Sequence, residues 1–501
     1  MKLLFFAHMG WVEIAALFAG EMKRRRNIDS VVVVHGTLDA KRARKTGQFA
    51  EVVDVVRNLD LSNAEAKRGK NLGKLSAFEE TYPSERVWQT VFQDSRPTFR
   101  KFSCPQVLEY LSHSLAVLES VFARHEIAAC LGELTMPCYR LAHGMCGPQR
   151  PYLMPATARF FRRFYFEHTR YIEWPHCIDT YERFLRFGIP PELLAEVDPV
   201  LAGIRERRYR PVYFDFGVSR LLSNTGLRAQ IDPAVVASHA MEVWFNTIID
   251  RGRNPQGLHW TYWTPPRKLA RWLQWTGRRS YYHRHALPRI PTDSAYAIFL
   301  PNTEPEYTGD VQGWPFADQA SLIRNLAQSL PVGMLLLVKD HRFMVGPRAK
   351  TFYQRILELP NVKLVDERIQ SQELVAKSRI VFTVTGTVAL ESLCLEKPVL
   401  MFGRVFFNSF QGVKVVRDLF ELPGEIAHAL EGDGVDRLAS ARAALAAIYA
   451  SSYPGDVTEL CYGVCRVPEK RLQFGDALET ELVKQRVLKS STEDHLPAYQ
   501  S

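Results

Sequence analysis

Apolar positions along the chain fall into short continuous runs that alternate with segments of helical periodicity. In the N-terminal part the runs are KLLFFAH, SVVVVHG, EVVDVV and EIAACLGE, and the amphipathic segment EIAALFAGEMKRR separates the first two. Continuous apolar runs between helices are typical of parallel strands that are buried on both faces of a sheet. The pattern predicts a doubly wound α/β domain.

A second and more regular series begins near residue 294. The runs SAYAIFLP, GMLLLVKD, VKLVD, IVFTV and PVLMFG alternate with the helical segments DQASLIRNLAQSL, AKTFYQRILEL, SQELVAKS and VALESLCLE. The loops are short, as they are in consecutive strand and helix units. We therefore expect two α/β, Rossmann-like domains with parallel sheets.

A length of 501 residues suits two large domains. We expect residues 1–290 to form the first domain, with a basic and aromatic helical insertion over about residues 155–290. Residues 291–455 are expected to form the second domain, and residues 456–501 a C-terminal helical segment with a polar tail. Within that last part, DALETELVKQRVLK has the apolar spacing of an amphipathic helix.

The turn Thr385-Gly386-Thr387 follows the apolar run IVFTV and precedes a helical segment. Ligands of open parallel sheets bind outside the carboxyl ends of the strands, where helix starts offer free N–H groups. A phosphate is the anion that we expect there, and Glu391, one turn further on, is expected to meet a ribose hydroxyl. The alternative is that Thr387 only caps the helix and Glu391 only forms a surface ion pair.

Two further loops border the same predicted crevice. Lys339 and His341 follow the run GMLLLV, and Arg348 lies nearby, so that charge-assisted bonds to phosphate oxygens are expected. The alternative is an ordinary solvated strand end. Glu304 and Glu306 follow the first strand of this domain, and they either bind sugar or nucleotide hydroxyls or cover the domain hinge.

These segments carry a family resemblance. The stretches TEPEYTG, VKDHRFMVGPR, FYQRILELPNVKLV, TVTGTVALES and KPVLMFG resemble the C-terminal half of the bacterial capsule and surface-polysaccharide biosynthesis proteins, mainly over residues 295–410. That family includes Kdo transferases and is similar to GT-B glycosyltransferases, in which two Rossmann-like domains face a central cleft. The resemblance implies donor binding by Thr385, Gly386, Thr387, Glu391, Lys339 and His341. Related transferases that use CMP-sugars tend to carry His-Pro where this chain has His341-Arg342, so the donor nucleotide stays open.

Transfer with inversion requires a base that deprotonates the acceptor hydroxyl, and two residues at predicted strand ends qualify. His8 follows KLLFFA, and Glu133 follows IAACLG. The alternative reading makes His8 a turn residue and Glu133 a charge near the start of the next helix. Metal-independent catalysis is expected, in which Lys339, His341, Arg342 and the helix start offset the charge of the departing phosphate. No metal site and no cofactor are expected beyond the nucleotide-sugar substrate.

The formal net charge is +10, and it is concentrated in one segment. Residues 251–290 hold nine Lys or Arg, no Asp or Glu, and four of the nine tryptophans. Cations and interfacial aromatics favour anionic membrane surfaces. A contact with a lipid-linked acceptor at the inner face of the bacterial inner membrane is one interpretation, and a helical insertion whose aromatics fill a core is the other. Nucleic acid is not expected as a partner, because no RNA-binding motif accompanies the segment.

The remaining features define the class of protein. No apolar run approaches the roughly 18 residues of a membrane-spanning helix, and the eight cysteines are scattered, as expected of reduced thiols in a cytoplasmic protein. We expect a cytoplasmic glycosyltransferase that moves a sugar from a nucleotide donor to a glycan or glycolipid acceptor. Two alternatives remain, a nucleotide-sugar 2-epimerase of the same architecture and a non-catalytic module of glycan assembly.

Overall fold

The computed structural model describes residues 1–94, 102–171, 173–210, 240–241, 244–250, 265–457 and 468–488. These residues form two seven-stranded sheets. Both sheets are built around the apolar runs of the sequence, and each has helices packed on its faces. The prediction of a two-domain α/β architecture with parallel sheets is confirmed.

The first sheet has the strand order β14-β6-β5-β4-β1-β2-β3. Its strands are β1 (Lys2–Ala7), β2 (Asp29–Val34), β3 (Glu51–Asp54), β4 (Ile127–Gly132), β5 (Tyr152–Thr157), β6 (Arg163–Glu167) and β14 (Tyr453–Pro454). The pairs from β3 to β5 are parallel, whereas β6 runs antiparallel to both β5 and β14. Five of the six residues in β1 and in β2 are buried, as a strand covered on both faces requires.

Among the described residues of the first half of the chain, eight α-helices connect or flank the strands. They are α1 (Trp11–Arg26), α2 (Thr37–Thr46), α3 (Arg68–Thr81), α4 (Val87–Phe92), α5 (Cys104–Arg124), α6 (Pro137–Gly144), α7 (Pro175–Phe187) and α8 (Pro191–Arg205). Helix α5 begins with a capping box, in which Ser103 and Gln106 bond each other's backbone amides.

The second sheet is parallel throughout, with the order β13-β12-β11-β8-β9-β10-β7. Its strands are β7 (Ala286–Leu287), β8 (Ala295–Phe299), β9 (Met334–Val338), β10 (Val362–Val365), β11 (Ile380–Thr383), β12 (Val399–Met401) and β13 (Val413–Val415). Its helices are α9 (Pro265–His285), α10 (Gln319–Ser329), α11 (Lys350–Leu357), α12 (Ser371–Lys377), α13 (Val388–Cys394) and α14 (Leu422–Glu431). Short helices of other types cover Phe245–Ile249, Thr308–Gln312 and Phe406–Ser409.

The chain returns to the first sheet near its end. Helix α15 (Arg437–Ser451) packs on α7 and α8, strand β14 then pairs with β6, and α16 (Pro468–Lys484) packs on α1. The amphipathic segment near residue 480 is thus a docked helix, and the expected polar tail beyond residue 488 lies outside the described residues.

The expected helical insertion over about residues 155–290 requires two corrections. The region begins with two paired strands, β5 and β6, and not with helix. The apolar runs did not indicate these strands, because β5 contains Pro155 and charged residues surround β6. At its other end, α9 packs on the second sheet through the fully buried Tyr282, and β7 pairs with β10, so this end does not belong with the first sheet. A strand of two residues is too short to leave a periodic signal. Residues 211–239, 242–243 and 251–264 lie outside the described residues.

Candidate functional site

The order of the second sheet places its ligand-binding edge. From the central β8 the chain passes to β9 and β10 on one side, and later to β11 and β12 on the other. The carboxyl ends of β8 and β11 therefore border the crevice at which a parallel sheet binds ligands. The loop after β8 and the turn after β11 meet there, since Asn302 Nδ2 donates to Thr385 Oγ1 at 2.6 Å.

The Thr-Gly-Thr turn is held by its own hydroxyls. Thr385 is buried, and its hydroxyl also donates to the carbonyl oxygen of Thr308 at 3.2 Å. The amide of Gly386 donates to Thr383 Oγ1 at 3.1 Å, and a Cβ at Gly386 would lie 2.6 Å from that same oxygen. The glycine is thus required by the close approach of Thr383. Thr387 is half-buried, makes no side-chain capping bond, and directly precedes α13, where the amides of Ala389 and Leu390 donate to the carbonyl oxygens of Gly386 and Thr387.

Glu391 is half-buried behind this turn and does not form a surface ion pair. Its Oε2 accepts a bond from Gln372 Nε2 at 3.2 Å. Burial raises the pKa of Glu391 to about 7, although the Gln372 bond and the charge of Lys339 both favour ionisation. The carboxyl thus changes its charge near neutral pH, which is typical of a site that awaits a polar partner.

Lys339 leaves the end of β9 on the other side of the crevice. It is 8% exposed, and its ammonium donates to Ser371 Oγ at 2.8 Å. Burial and then the neighbouring Arg342 lower the pKa of Lys339 to about 8, while Glu367 and Glu391 oppose that shift. A lysine that is kept from water and only partly balanced by carboxylates is suited to an incoming anion.

The loop after Lys339 is braced from below by a buried ion pair. Asp340 is fully buried and accepts bonds from Arg348 Nε at 2.7 Å and from the Tyr353 hydroxyl at 2.7 Å. Arg348 also bonds the carbonyl oxygen of Asn302 at 2.7 Å and pairs with Glu304 at 3.1 Å. The expectation that Arg348 binds phosphate is therefore wrong, because its guanidinium is committed to this brace.

The remaining donor candidates lie at the outer part of the crevice. His341 is half-buried, burial lowers its pKa, and its ring packs on Phe343 with 4.9 Å between the ring centres. Arg342 and Glu306 are exposed, and Glu306 accepts the hydroxyl of Thr303. Glu306 is also close enough to His341 to favour protonation of the ring.

One group of potential metal ligands occurs among the described residues. It comprises His283, Asp366 and Glu367, whose ligand atoms lie within 4.8 Å of one another. Arg368 already binds both carboxylate oxygens of Asp366, and this bonding, together with the bond from the Arg368 amide, lowers the pKa of Asp366 to about 2 against the opposing effect of burial. The cluster is therefore explained by an ion pair at the end of β10, and no metal ion is needed to balance its charge.

The two base candidates of the first sheet form one pair. His8 Nδ1 lies 2.5 Å from Glu133 Oε1, both residues are buried, and the other carboxylate oxygen accepts the amide of Thr135 at 2.7 Å. Burial disfavours the charge of Glu133, but His8 and Thr135 outweigh it and lower the pKa of Glu133. Sequence reasoning treated the two as alternatives, whereas the adjacency of β1 and β4 brings them together.

The loop after β8 of the second sheet contacts the turn after β6 of the first sheet. Tyr307, from the loop after β8, donates its hydroxyl to the carbonyl oxygen of Arg170 at 2.8 Å. Burial raises the pKa of Tyr307, Arg140 and Arg170 oppose this, and Glu167 and Glu133 add to it. Tyr307 therefore lies close enough to Glu133 for the two groups to interact electrostatically, and it belongs to the same loop as Glu306.

Sequence reasoning missed four residues of this region, namely Asn302, Ser371, Gln372 and Glu167. Each is recognisable only from its partner in space, because none lies in a motif or in a charged cluster. A polar residue at a strand end was the sole available signal for Asn302 and Glu167.

The basic aromatic segment is described only from residue 265 onwards. In α9, Leu269 and Leu273 are more than half exposed, and Trp275 is half-buried. The guanidinium of Arg278 bonds the carbonyl oxygen of Pro347, so that one edge of the helix is fixed to the second sheet. No helix of the described residues is long and apolar enough to cross a membrane.

Comparison with known proteins gives one family match. Residues 315–421 match the family model described as "Capsule polysaccharide biosynthesis protein", which confirms the family resemblance over those residues. The match contains Lys339, the Thr-Gly-Thr turn and Glu391. No curated protein sequence matches the chain.

Similar solved structures are distant. The beta Kdo 2,7 transferase of KpsC from Thermosulfurimonas dismutans is 10% identical, with a TM-score of 0.29 and coverage of 63% of this chain and 80% of that chain. HepE from Anabaena, in complex with UDP, is 12% identical, with a TM-score of 0.31 and coverage of 96% and 100%. UDP-GlcNAc 2-epimerase from Neisseria meningitidis is 12% identical, with a TM-score of 0.23 and coverage of 97% and 100%. Likeness at this level does not discriminate between transferase and epimerase.

Proposed function

We propose that this chain, whose residues 315–421 match the family model of capsule polysaccharide biosynthesis proteins, is a glycosyltransferase of the GT-B type. It moves a sugar from a nucleotide-sugar donor to a glycan or lipid-linked acceptor. The observation that carries the proposal is that a buried lysine, only partly balanced by carboxylates, lies at the ligand-binding edge of the second sheet, while a buried histidine–carboxylate pair lies at strand ends of the first sheet and Tyr307 joins the two sheets.

The donor binds at the second sheet. Lys339, with a pKa of about 8, is largely charged at neutral pH and contacts the donor phosphates together with His341 and Arg342. The amide and the hydroxyl of Thr387, directly before α13, add donors to the phosphate, and Glu391 accepts a ribose hydroxyl. These groups stabilise the negative charge that develops on the departing nucleotide.

His8 serves as the general base, and Glu133 is its positioning residue. His8 takes the proton from the acceptor hydroxyl while the new oxygen–carbon bond forms at the sugar. The bond from the sugar to the donor phosphate breaks in the same step, and its electron pair leaves with the nucleotide. Glu133, kept ionised by its partners, stabilises the imidazolium that results.

This assignment needs no metal ion, because the cations of the crevice take over the stabilisation of the leaving group. The group formed by His283, Asp366 and Glu367 follows β10, and Arg368 already neutralises Asp366. Turnover that is unaffected by a strong chelator supports this part of the proposal. Loss of turnover on chelation, restored by a divalent cation, would refute it.

A ligand screen followed by turnover tests the function as a whole. The folded protein is heated with CMP-, UDP-, GDP- and dTDP-linked sugars, and the cognate donor is identified by the rise in Tm. With that donor, nucleotide release must depend on an added acceptor. Release of an epimer without an acceptor would instead show a 2-epimerase, and the absence of binding by any nucleotide would favour a non-catalytic module.

Two variants test the base. His8→Ala is expected to lower kcat by about 100-fold or more and to leave the donor Kd unchanged, because general base catalysis contributes about that much. The matched control is His125→Ala, since His125 also pairs with a carboxylate, Glu51, at 2.6 Å. Equal activities of His8→Ala and His125→Ala would remove His8 from the mechanism.

The protein is proposed to act in the cytoplasm, with α9 contacting the inner face of the membrane. Leu269 and Leu273 lie one helical turn apart on the exposed side of α9, among arginines. Exposed leucines next to cations match an anionic lipid surface. Flotation with anionic but not with neutral vesicles, lost in a double change of both leucines to serine, is the expected result, and equal flotation with both vesicles would contradict it.

A further inference from the structure

Within the described residues, two paired strands of the first sheet, β6 and β14, connect to helices that lie beside the second sheet, and we call these two connections the crossings. Strand β6 belongs to the first sheet, but α7 and α8, which follow it, pack on α15 and α13 beside the second sheet. Helix α15 in turn leads directly into β14, which pairs antiparallel with β6 through Tyr453 and Phe164. Arg163 ties the two crossings together by donating from Nε to the hydroxyl of Ser452 at 2.9 Å.

Glu167 is the last residue of β6 and directly precedes the first crossing in the chain. It is 1% exposed. Its Oε1 accepts the amides of His168 and Thr169 at 3.3 Å each and that of Glu173 at 3.1 Å. Its Oε2 is buried without a hydrogen-bond partner. One buried carboxylate thus organises the crossing turn, which we define as residues 168–171 and 173.

The outer side of the crossing turn receives the loops of the second sheet. The Tyr307 hydroxyl donates to the carbonyl oxygen of Arg170, as described above. Arg404, from the loop after β12, pairs with Glu173 at 2.5 Å and places its guanidinium 4.3 Å from the ring centre of Tyr171. Thr308, next to Tyr307, and Gly403, next to Arg404, both lie against Thr385, so the crossing turn contacts two loops that adjoin the Thr-Gly-Thr turn.

Aromatic side chains pack together beside the crossing turn. Trp174, with φ of 30° in the left-handed region, starts α7 and stacks on Tyr165 at 3.7 Å between ring centres. Phe406, two residues after Arg404, packs edge-on against Trp174 at 5.0 Å. The backbone of a tryptophan rarely adopts this conformation, so the surrounding contacts must hold it.

We propose that Glu167 is a positioning residue, which locks the crossing turn so that the His8–Glu133 pair and the donor crevice keep their relative position. This inference rests on the proposed glycosyl transfer. The reacting groups would be carried by different sheets, and a displacement of about 1 Å between them costs on the order of 100-fold in rate. A residue that fixes the turn therefore acts on kcat without touching the substrate.

Three variants test this role through turnover and nucleotide binding. Glu167→Ala removes the acceptor of three amides, and Tyr307→Phe removes only the hydroxyl that reaches the turn. Both are expected to lower kcat by about 10- to 100-fold with the donor Kd unchanged within twofold. Glu167→Gln keeps an oxygen for the three amides and is expected to restore most of kcat, which would not happen if the ionised carboxyl acted in the chemical step.

Tyr296→Phe is the matched control for Tyr307→Phe. The Tyr296 hydroxyl also donates to a carbonyl oxygen, that of Leu374 at 2.8 Å, but both residues belong to the second sheet and its helices. The control is expected to retain kcat. A fall in kcat of the same size in both variants would show a general loss of stability and would overturn the positioning role.

Hydrogen exchange tests the same inference without substrate. Glu167→Ala and Tyr307→Phe are both expected to speed exchange of the Thr169 and Glu173 amides, and Glu167→Gln is expected to leave it near the wild-type rate. Unchanged exchange in Tyr307→Phe, or equal acceleration in Glu167→Ala and Glu167→Gln, would refute the role. If the wild type binds no nucleotide, the proposed function fails while this measurement still decides the inference.

Discussion

Replacing Glu391 by glutamine is expected to stabilise the domain of the second sheet at alkaline pH and, at the same time, to weaken nucleotide binding. The carboxyl is half-buried, accepts one bond from Gln372, and has a pKa that burial raises from 4.5 to about 7. Its ionised form is therefore a cost to folding. We expect a residue of this kind to be present for ligand binding and not for stability.

The direction with pH follows from the two pKa values. Between about pH 4.5 and pH 7 the folded protein keeps the proton that the unfolded chain has lost. The free energy of unfolding falls as the pH rises through this range, and the loss is complete above it, at about 3 kcal/mol. Glutamine does not ionise and still offers an oxygen to Gln372, so the variant escapes this loss.

Thermal denaturation at pH 5 and at pH 8 is the assay. For a cooperative unit of about 150–250 residues, about 3 kcal/mol corresponds to a rise in Tm of about 6–12 °C at pH 8, with little change expected at pH 5. Glu373→Gln is the matched control, because Glu373 lies on the neighbouring helix in an exposed pair with Lys377 at 2.9 Å. Exposed pairs of this kind contribute about 0–1 kcal/mol, so its Tm should hardly move.

The reasoning would be refuted if Glu391→Gln melted at the wild-type temperature at both pH values. It would also fail if the stabilisation were the same at pH 5 and pH 8, because the effect would then not come from ionisation. A stabilised variant that binds the nucleotide as tightly as the wild type would leave the pKa argument intact but would remove Glu391 from the donor site.

Three further outcomes are expected. Nucleotide affinity should fall as the pH rises through about 8, where Lys339 loses its proton. Calorimetric titration of Lys339→Met should show weak binding that does not depend on pH in this range. If the affinity of the wild type and of the variant changed with pH in parallel, Lys339 would be excluded from the donor site. Gly386→Ala should impair nucleotide binding, because its methyl group would lie 2.6 Å from the hydroxyl of Thr383. Gly424→Ala should retain binding, because the space around that position is open. Equal Kd values of the two variants would contradict this prediction. Arg25→Ala should destabilise the first domain by about 1–2 kcal/mol, because the Arg25 side chain bonds residues of both α1 and α16. The control Arg24→Ala removes an exposed side chain, so denaturant unfolding should show a smaller loss of stability. A larger loss in Arg24→Ala than in Arg25→Ala would contradict this prediction.

Much of the architecture could be predicted from local pattern. The strands β1, β2, β4 and β8 to β12 contain the continuous apolar runs, since a strand covered on both faces is apolar at most of its positions. Strand β3 was indicated by the run EVVDVV, although all four of its residues are only partly buried. The elements that were missed are short or lie at a sheet edge. Strands β7, β13 and β14 have two or three residues, and β5 contains Pro155, so neither length nor periodicity could indicate them.

The candidate site divides in the same way. The positions of Lys339, Thr385 and Glu391 at predicted strand or helix ends were accessible, because connection rules of parallel sheets place such residues at one edge. The sequence could not predict which of the neighbouring charged residues form internal ion pairs and which remain available to a ligand. Arg348 looked equivalent to Lys339 in sequence, but a buried Asp340 binds the arginine, whereas the lysine retains an unbalanced charge.

The sequence by itself therefore determined the two parallel sheets and the edge of each sheet at which polar residues gather, because these depend on hydrophobic burial and on chain connectivity. Only the tertiary structure decided that His8 and Glu133 form one pair, that burial raises the pKa of Glu391 to about 7, and that Glu167 organises the crossing turn. Those properties depend on distances of a few ångströms between residues far apart in the chain, and on how far each charge is removed from water.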